Sequence, residues 1–299
     1  MSYRLKDRLK RTRYNFGCKG IFNTPPLRVR AAPLVFLSMA SHKDLTMYLV
    51  AIKSIYRHFG EGRVVVINDG SFSKHDLGQL HHHIEGLEVL DIGKIETSPC
   101  PRGGMWERLL TAMDLCADCF VIQVDSDTVA VEAIPEVVEA YRSNRPFLLG
   151  TKDGQDFVST AEAAAFVENN SSDHIQIVAE RALARLPADG YRYIRGCAGF
   201  SGYARGRHSR ADAEAWSRRM EGIVGRRWDE WGSEQVTSNL LIANSEDPLV
   251  LPYPRYANYH PAFDVSETHF LHFMGTHRFQ NGGYVGASRR VIQELGGAS

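Results

Sequence analysis

The sequence lacks the long apolar segments and the charge excess that would assign it to a specialised class of protein. No apolar run approaches the roughly 18 residues that span a bilayer, and no uninterrupted apolar stretch near the N-terminus resembles a secretory signal. Its 35 Lys and Arg residues balance 35 Asp and Glu residues, which argues against nucleic acid as a partner. The chain also has no internal repeat and no low-complexity tract. A membrane channel, a coiled coil and collagen are therefore excluded.

Cysteine is scarce as well. Five cysteines in 299 residues are an odd and sparse set, which excludes a small disulfide-stabilised protein and predicts reduced thiols in a cytoplasmic compartment. The composition, 43% hydrophobic and 23% charged, is that of an ordinary water-soluble globular chain. The five residues are Cys18, Cys100, Cys116, Cys119 and Cys197.

The first 30 residues depart from the overall charge balance. They contain nine Lys and Arg residues and one acid, Asp7, interleaved with apolar residues such as Leu9 and Phe16. This pattern is typical of a segment that lies on an anionic membrane surface, here residues 1–24, and it equally fits a solvated, partly disordered arm. We expect residues 1–30 to form a basic N-terminal arm, separated by Pro25-Pro26 from one domain over residues 31–299. The expected location is the cytoplasm, with peripheral attachment to the inner face of the membrane.

From Leu34 onward the chain alternates between strand and helix patterns. Repeated β-α-β units with continuous apolar strands predict an α/β fold with a mostly parallel central sheet, covered by helices on both faces. Beyond Gly150 the pattern is less regular and indicates an elaborated C-terminal half on the same sheet. The predicted strands are 34–37, 63–67, 87–92, 120–124, 194–203, 249–252 and 269–273, and the predicted helices are 45–59, 74–84, 106–115, 160–167, 175–186, 211–223, 234–243 and 286–295.

Two carboxylates directly follow the apolar strand Phe120–Val124. Asp125 and Asp127 are one residue apart, so an extended backbone points both to the same side, with Cα atoms about 6–7 Å apart. Ligands of open α/β sheets bind at the carboxyl ends of strands. Two like charges held there raise each other's pKa unless a cation lies between them. The pair therefore predicts a site for Mg²⁺ or Mn²⁺ that leaves positions open for a diphosphate, although a surface turn capped by the two aspartates fits as well.

This layout resembles the nucleotide-sugar glycosyltransferases of the GT-A type. Their Rossmann-like sheet carries an Asp-x-Asp motif that holds a divalent metal on the diphosphate of the donor. Asn68-Asp69-Gly70-Ser71 is similar to the Asp-Asp-Gly-Ser turn of many of these enzymes, with Asn at its first position. The resemblance implies that Asp69 contacts the nucleoside, that residues 31–150 bind nucleotide and metal, and that residues 151–299 form the acceptor and closing half. Taken alone, Asp69 is a turn residue.

A second motif lies near the C-terminus. The segment from His272 to Arg278 resembles the His-x-x-Gly-x-x-Lys of the retaining glycogenin-like and bacterial galactosyltransferase-like group, glycosyltransferase family 8. The resemblance implies that His272 is the third metal ligand and that Gly275 and Arg278 face the diphosphate. Imidazole suits Mn²⁺, and a guanidinium can grip phosphate with two hydrogen bonds. The Pro-Trp of that family is Phe279-Gln280 here.

The same resemblance implies further contacts to the donor. Arg108 corresponds to an arginine that contacts the donor sugar, and Ala198 and Gly199 correspond to an Asn-Ala-Gly segment that lines the sugar pocket, with Cys197 in place of Asn. Ser38 and Ser126 belong to the same implied set. Each position also has a structural interpretation, because an arginine on a helix forms salt bridges and small residues allow close packing of strands.

Glu234 and Gln235 open a predicted helix and resemble the Asp-Gln pair of the family, with Glu in place of Asp. The resemblance places them beside the anomeric carbon and the acceptor. The same residues also fit an ordinary helix start, since Ser233 followed by a carboxylate is typical of helix N-termini.

The resemblance implies an enzyme that moves a hexose from a nucleoside-diphosphate donor, UDP-linked, to a hydroxyl of a glycan, glycolipid or small-molecule acceptor, with retention of configuration. An inverting enzyme would instead use Glu234 as the general base. A sugar nucleotidyltransferase and a non-catalytic nucleotide-sugar-binding protein remain alternatives, as does a phosphate-cleaving enzyme. The nucleotidyltransferase is disfavoured because Ser38–His42 contains no glycine for a nucleotide loop.

Overall fold

The computed structural model describes residues 3–187 and 190–297, with side chains from Asp7 onward. Residues 1 and 2 of the predicted arm lie outside the described residues, as do residues 188, 189, 298 and 299 of the predicted domain. In the described part the strands are β1 (Leu34–Ala40), β2 (Arg63–Asn68), β3 (Glu88–Asp91), β4 (Phe120–Val124), β5 (Thr128–Ala130), β6 (Phe147–Gly150), β7 (Val158–Ser159), β8 (Arg192–Tyr193), β9 (Gly196–Tyr203), β10 (Leu249–Leu251), β11 (Tyr256–Asn258) and β12 (Phe270–His272).

α-Helices lie before β1, in the longer segments between strands, and after β12. Three of them begin at a serine that caps the helix and forms a reciprocal hydrogen-bonded pair with an acid three residues later: Ser73, Ser159 and Ser209. The α-helices are α1 (Tyr3–Gly17), α2 (Leu45–Tyr56), α3 (Lys74–His83), α4 (Trp106–Leu115), α5 (Pro135–Arg142), α6 (Thr160–Phe166), α7 (Ile175–Ala182), α8 (Arg210–Val224), α9 (Ser233–Ala243) and α10 (Gly283–Gly297).

A seven-stranded sheet forms the centre of the molecule, in the order β10-β6-β9-β4-β1-β2-β3. Four of its neighbouring pairs are parallel, and β9 runs antiparallel to both β4 and β6. A second sheet in the order β11-β12-β5 lies beside it, and β7 pairs with β8. The predicted α/β fold with a mostly parallel sheet is confirmed, and the Gly-rich segment from the C-terminal half inserts as its reversed strand.

Helices cover both faces of the central sheet. Along β1, Leu34 and Phe36 belong to one buried apolar cluster, whereas Val35 and Leu37 belong to another on the opposite face. Since side chains of a strand alternate between faces, a strand that is apolar at every position must be buried on both sides. The continuous apolar strands predicted a sheet covered by helices on both faces, and the burial of β1 on both sides agrees with that prediction.

Most predicted elements agree with the structure to within a few residues at each end. The helix Trp106–Leu115 and the strand Phe120–Val124 match at both ends. The helices α1 and α5 and the strands β5, β6, β7, β8 and β11 were not predicted. The five strands have two to four residues each, which are too few to establish a period.

The N-terminal segment packs on the body of the protein. Within the predicted basic arm, Tyr14, Cys18 and Ile21 are fully buried. The ring of Tyr14 lies 4.2 Å from that of Tyr284, and its hydroxyl is 2.9 Å from Ser288 Oγ. The interpretation of this segment as a solvated, partly disordered arm is therefore wrong for its described part, because one face of α1 contributes to the core.

The described residues include no helix that is both long and apolar enough to cross a membrane. All five cysteines are buried and free.

Candidate metal centre

The site lies at the carboxyl end of β4, where the apolar strand stops at two acids. Asp125 continues from β4, and its backbone N–H donates to the carbonyl of Gly199 at 2.8 Å. The chain then turns, and β5 begins at Thr128. The side chains of Asp125 and Asp127 converge in this turn, whereas their spacing had predicted the convergence from an extended backbone.

His272 reaches the two acids because β12 pairs with β5. The pairing is antiparallel and sets His272 opposite Thr128, one residue after Asp127. The backbone N–H of Phe273 also donates to the carbonyl of Asp127 at 2.8 Å. The close approach of His272 to the acids is thus built into the backbone of the second sheet.

The three side chains offer one common centre for a cation. His272 Nε2 lies 3.2 Å from Asp127 Oδ1 and 3.5 Å from Asp125 Oδ2. One ligand atom from each residue lies within 4.8 Å of the other two, and the described part of the chain holds no other such group of three or more acids, histidines and cysteines. Two carboxylates and an imidazole are a donor set that fits Mn²⁺ or Mg²⁺.

The charged groups around the centre shift one another's pKa values. Burial by itself would raise the pKa of Asp125, but the neighbouring Arg108 and His272 hold it well below its usual range. Burial would likewise lower the pKa of His272, yet Cys197 and the two aspartates raise it well above its usual value. Without a metal, a proton on His272 would add a positive charge on the side of the two acids that faces away from Arg108 and Arg278. A divalent ion would take the place of that proton.

Gly199 lines the centre because no larger residue fits there. A Cβ atom at this position would lie 2.3 Å from His272 Cε1 and 2.9 Å from Asp125 Oδ2. Atoms cannot approach so closely without displacing the ligands. The predicted role of Gly199 as a lining residue has this steric basis.

Asn258 at the end of β11 orients the imidazole. Its Oδ1 lies 3.0 Å from His272 Nδ1, and Cys197 Sγ lies 3.3 Å from the same nitrogen. With Asn258 as acceptor, Nδ1 donates its hydrogen, and Nε2 faces the acids as the nitrogen that could ligate a metal. Metal-bound histidines are commonly held by such a second hydrogen bond. No motif marked Asn258 in the sequence.

Replacing Asn258 with alanine is expected to weaken the binding of Mn²⁺ about 10- to 100-fold, because the orientation of His272 is no longer fixed. Calorimetric titration of the metal-free protein with Mn²⁺ measures the effect. Asn170→Ala, at an exposed position, is the control. Equal affinities of the two variants would contradict the role assigned to Asn258.

Two arginines bind the outer oxygens of the same carboxylates. Arg108 Nη1 is hydrogen-bonded to Asp125 Oδ1, and its Nη2 lies 3.8 Å from Glu234 Oε1. Arg278 Nη2 lies 2.5 Å from Asp127 Oδ2. Each aspartate therefore has one oxygen on an arginine and the other toward His272, which fixes both carboxylates.

A cavity of about 610 Å³ opens above the centre. Both predicted halves of the domain contribute to its wall, since the acids come from the first half and His272 from the second. The predicted site residues that line it are Arg108, Asp125, Ser126, Asp127, Ala198, Gly199, Glu234, Gln235, His272, Gly275 and Arg278.

Two predicted donor contacts, Ser38 and Asp69, are not brought to the wall of this cavity. Ser38 is fully buried inside β1, whereas its neighbours Met39 and Ser41 reach the wall. Asp69 is exposed, and its Oδ1 accepts a hydrogen bond from the backbone N–H of Ser71 at 2.9 Å. In this structure Asp69 therefore stabilises a turn, which is the alternative that the sequence left open.

Several residues of the wall were missed by the sequence analysis. Arg11 reaches it from α1 and forms an ion pair with Asp44 at 2.8 Å. Met105, with a φ of 77°, and Gly232, with a φ of 109°, precede α4 and α9 at its rim. Trp231 is 63% exposed although it is a large aromatic residue. A left-handed methionine and an exposed tryptophan are unusual enough to mark a functional surface, but they become visible only in the structure.

Solved structures share this arrangement of elements. The galactosyltransferase LgtC, solved in complex with donor and acceptor sugar analogues, superimposes with a TM-score of 0.52 over 88% of this chain and 95% of its own, at 15% sequence identity. The fold is a GT-A glycosyltransferase fold. The bifunctional glycosyltransferase WbbM also has a TM-score of 0.52, at 13% identity, over 88% of this chain and 51% of its own. No family model matches the sequence, and no curated protein matches it at a significant level.

The resemblance to GT-A glycosyltransferases that the two sequence motifs suggested is confirmed at the level of the fold. At these identities the similarity concerns the architecture alone. In this chain the candidate metal centre lies at the end of β4, where the GT-A resemblance implied an Asp-x-Asp motif.

Proposed function

We propose that the protein is a metal-dependent glycosyltransferase that moves a hexose from a UDP-linked donor to a hydroxyl acceptor with retention of configuration. The observation that carries this proposal is the convergence of Asp125, Asp127 and His272 at the floor of one cavity in a GT-A fold. In the proposed division of labour, residues 31–150 bind nucleotide and metal, and residues 151–299 receive the acceptor. A cytoplasmic location agrees with the five free cysteines.

The residues that would hold Mn²⁺, or Mg²⁺, are Asp125 and Asp127 through one oxygen each and His272 through Nε2. The ion when bound would act as a Lewis acid on the departing diphosphate, a contribution of several kcal/mol. The three ligands fix its position rigidly, because each is held from behind: by Arg108, by Arg278 and by Asn258.

Arg278 and Gly275 are the proposed diphosphate contacts. The guanidinium of Arg278 lies at the cavity wall, where its remaining N–H groups can donate to phosphate oxygens. Gly275 has a φ of 57°, and a Cβ atom there would meet nothing within 4 Å. The left-handed backbone rather than crowding therefore favours glycine at this position.

Glu234 and Gln235 are the proposed residues of the reacting centre. The side chain of Gln235 is fixed at both ends, since the N–H of Ala198 donates to its Oε1 at 3.2 Å and its Nε2 donates to Gln176 Oε1 at 2.9 Å. Burial raises the pKa of Glu234 to about 7, although Arg108 opposes this shift. Both residues line the cavity, and Glu234 in its carboxylate form can stabilise oxocarbenium character at the anomeric carbon.

The exposed ring of Trp231 is the proposed platform for a sugar acceptor. It stands at the cavity wall, edge-on to His174 at 5.8 Å. Replacing Trp231 with alanine is expected to raise the KM for the acceptor about 10-fold, because an apolar ring face of this size is lost. The KM for the donor should stay within twofold. Steady-state kinetics with each substrate varied in turn separate the two effects, and a rise in donor KM alone would contradict the assignment.

A thermal-shift panel of nucleoside diphosphates and nucleotide sugars, with and without Mn²⁺, tests the proposal. UDP and one UDP-sugar are expected to raise the melting temperature only with the metal, because ligands that bind the native state stabilise it. The anomeric signal in the proton NMR spectrum of the product then distinguishes retention from inversion. Binding without any slow hydrolysis of UDP-sugars would instead favour a non-catalytic binding protein. Release of pyrophosphate from a sugar phosphate and a nucleoside triphosphate would favour a nucleotidyltransferase.

A further inference from the structure

The outer face of α1 is cationic and carries two exposed apolar side chains. Leu9 is 47% exposed and Phe16 is 72% exposed, and a spacing of seven residues places them on the same side of the helix. Arg8, Lys10 and Arg13 are exposed around them, and none of these three forms an ion pair with another described residue. Unpaired cations around apolar side chains are typical of helices that lie on a membrane surface.

The inner face of the same helix is fixed on the body of the protein. Tyr14 and Cys18 are fully buried, and Arg11 forms its ion pair with Asp44. The outer face is therefore held in one orientation by contacts on the opposite side. It does not have to fold when it meets a partner, which lowers the entropic cost of docking.

A groove beside the outer face of α1 is also lined by positively charged side chains. A cavity of about 840 Å³ lies between α1 and the start of α10, and Lys10, Arg13 and Arg289 line it together with Phe16 and Phe279. No carboxylate is among the residues that line it. Cations with apolar rings between them are complementary to phospholipid headgroups and the first carbons of their acyl chains.

We propose that the outer face of α1, defined by Arg8, Leu9, Lys10, Arg13 and Phe16, docks the protein on an anionic phospholipid bilayer. The groove with Arg289 receives a headgroup phosphate. This proposal does not depend on the glycosyltransferase activity. It also gives the α1 helix a second role, because Arg11 on its inner side reaches the wall of the candidate cavity. Docking would bring that wall within about one helix diameter, 10–12 Å, of the membrane.

Only variants that leave the buried residues of the N-terminal segment intact can test this proposal. Removing residues 1–24 would take Tyr14, Cys18 and Ile21 out of the core, so a loss of binding could reflect unfolding. Substitutions confined to the outer face avoid this problem. We choose Lys10→Ser combined with Arg13→Ser, and separately Phe16→Ser, in the full chain.

The matched controls lie elsewhere on the surface. Lys74→Ser combined with Arg142→Ser removes the same charge at two exposed positions outside the groove. Phe166→Ser removes an aromatic ring that is 62% exposed on α6.

The experiment is co-sedimentation with vesicles of phosphatidylcholine alone and with 30% phosphatidylserine, at about 0.1 M salt. The full chain is expected to sediment with the anionic vesicles only. Lys10→Ser/Arg13→Ser should weaken its partitioning about 25-fold, since each cation near such a surface contributes about fivefold. Phe16→Ser should weaken it as well, and both control variants should bind like the unchanged protein.

Three results would overturn the proposal: no binding to anionic vesicles, equal binding to neutral ones, or equal losses in the control pair and in Lys10→Ser/Arg13→Ser.

The melting temperature and its shift by UDP with Mn²⁺ are measured on every variant. A shift that is kept while vesicle binding is lost separates membrane docking from the proposed function. Vesicle binding without any nucleotide shift would contradict the proposed function and leave the docking face supported.

Discussion

Asp127→Asn is expected to lower turnover at least 100-fold. The substitution keeps the size of the side chain and removes the negative charge that faces His272 Nε2 at 3.2 Å. It thereby removes one proposed ligand and, with it, most of the stabilisation of the leaving diphosphate. An amide also binds Arg278 less strongly than a carboxylate does, so Arg278, the proposed diphosphate contact, is held less firmly. The measurement is the initial rate of sugar transfer, or of UDP-sugar hydrolysis, at saturating Mn²⁺.

The matched control for Asp127→Asn is Asp247→Asn. Asp247 is 74% exposed, belongs to a surface ion pair with Arg145, and has a left-handed backbone that asparagine also adopts. Its activity should equal that of the unchanged enzyme. If Asp127→Asn kept near-normal turnover with full dependence on metal, Asp127 would not be a ligand and the proposed centre would be wrong.

Glu234→Gln is expected to lower kcat/KM about 100-fold at pH 8, because a carboxylate beside the developing positive charge is replaced by a neutral amide. In the unchanged enzyme the rate should fall as the pH drops through about 7, the value to which burial raises the pKa of Glu234. The variant should lack this acidic limb. A pH–rate profile from 5.5 to 9 measures both effects, and a persisting limb near pH 7 would assign the titration to another group.

The stability of the metal-free protein gives an independent check on the same residue. Because the folded pKa of Glu234 is raised from 4.5, the native state keeps a proton between pH 4.5 and 7 that the unfolded state loses. The free energy of unfolding therefore falls as the pH rises through this window, by about 3 kcal/mol, and the loss is complete above pH 7. Glu234→Gln should remove this fall. Glu168→Gln, at an exposed position, should leave it unchanged.

The sequence predicted the elements that bury long apolar runs. The strand Phe120–Val124 is apolar at nearly every position and the helix Trp106–Leu115 has a clear apolar side, so local pattern alone located both ends of each. β5 has only three residues and offers no such period, whereas β12 lies within the predicted strand 269–273. Yet their pairing is what places His272 beside Asp127. His272 and Asp127 are 145 positions apart in the sequence. The β12–β5 register that brings them together cannot be read from either segment alone.

The packing of the N-terminal segment likewise could not be predicted from local sequence. Its composition indicated a basic amphipathic stretch, and the exposed face of α1 agrees with that. The burial of Tyr14 depends on Tyr284 and Ser288, partners about 270 residues further along the chain, so composition could not distinguish a solvated arm from a helix packed on the core. Asn258 is a similar case, because a hydrogen bond to His272 has no signature in the residues around it.

The sequence by itself determined the class of fold and the pair of acids, through local periodicity and the chemistry of the side chains, whereas His272, Gly275 and Arg278 became candidates through the resemblance of their segment to a known motif. Only the tertiary structure decided which of them share one cavity. It left Ser38 inside β1 and Asp69 in a turn, and it added Arg11, Asn258 and Trp231. The physical reason is that distances between side chains are set by strand register and helix packing, which depend on contacts between segments far apart in the chain.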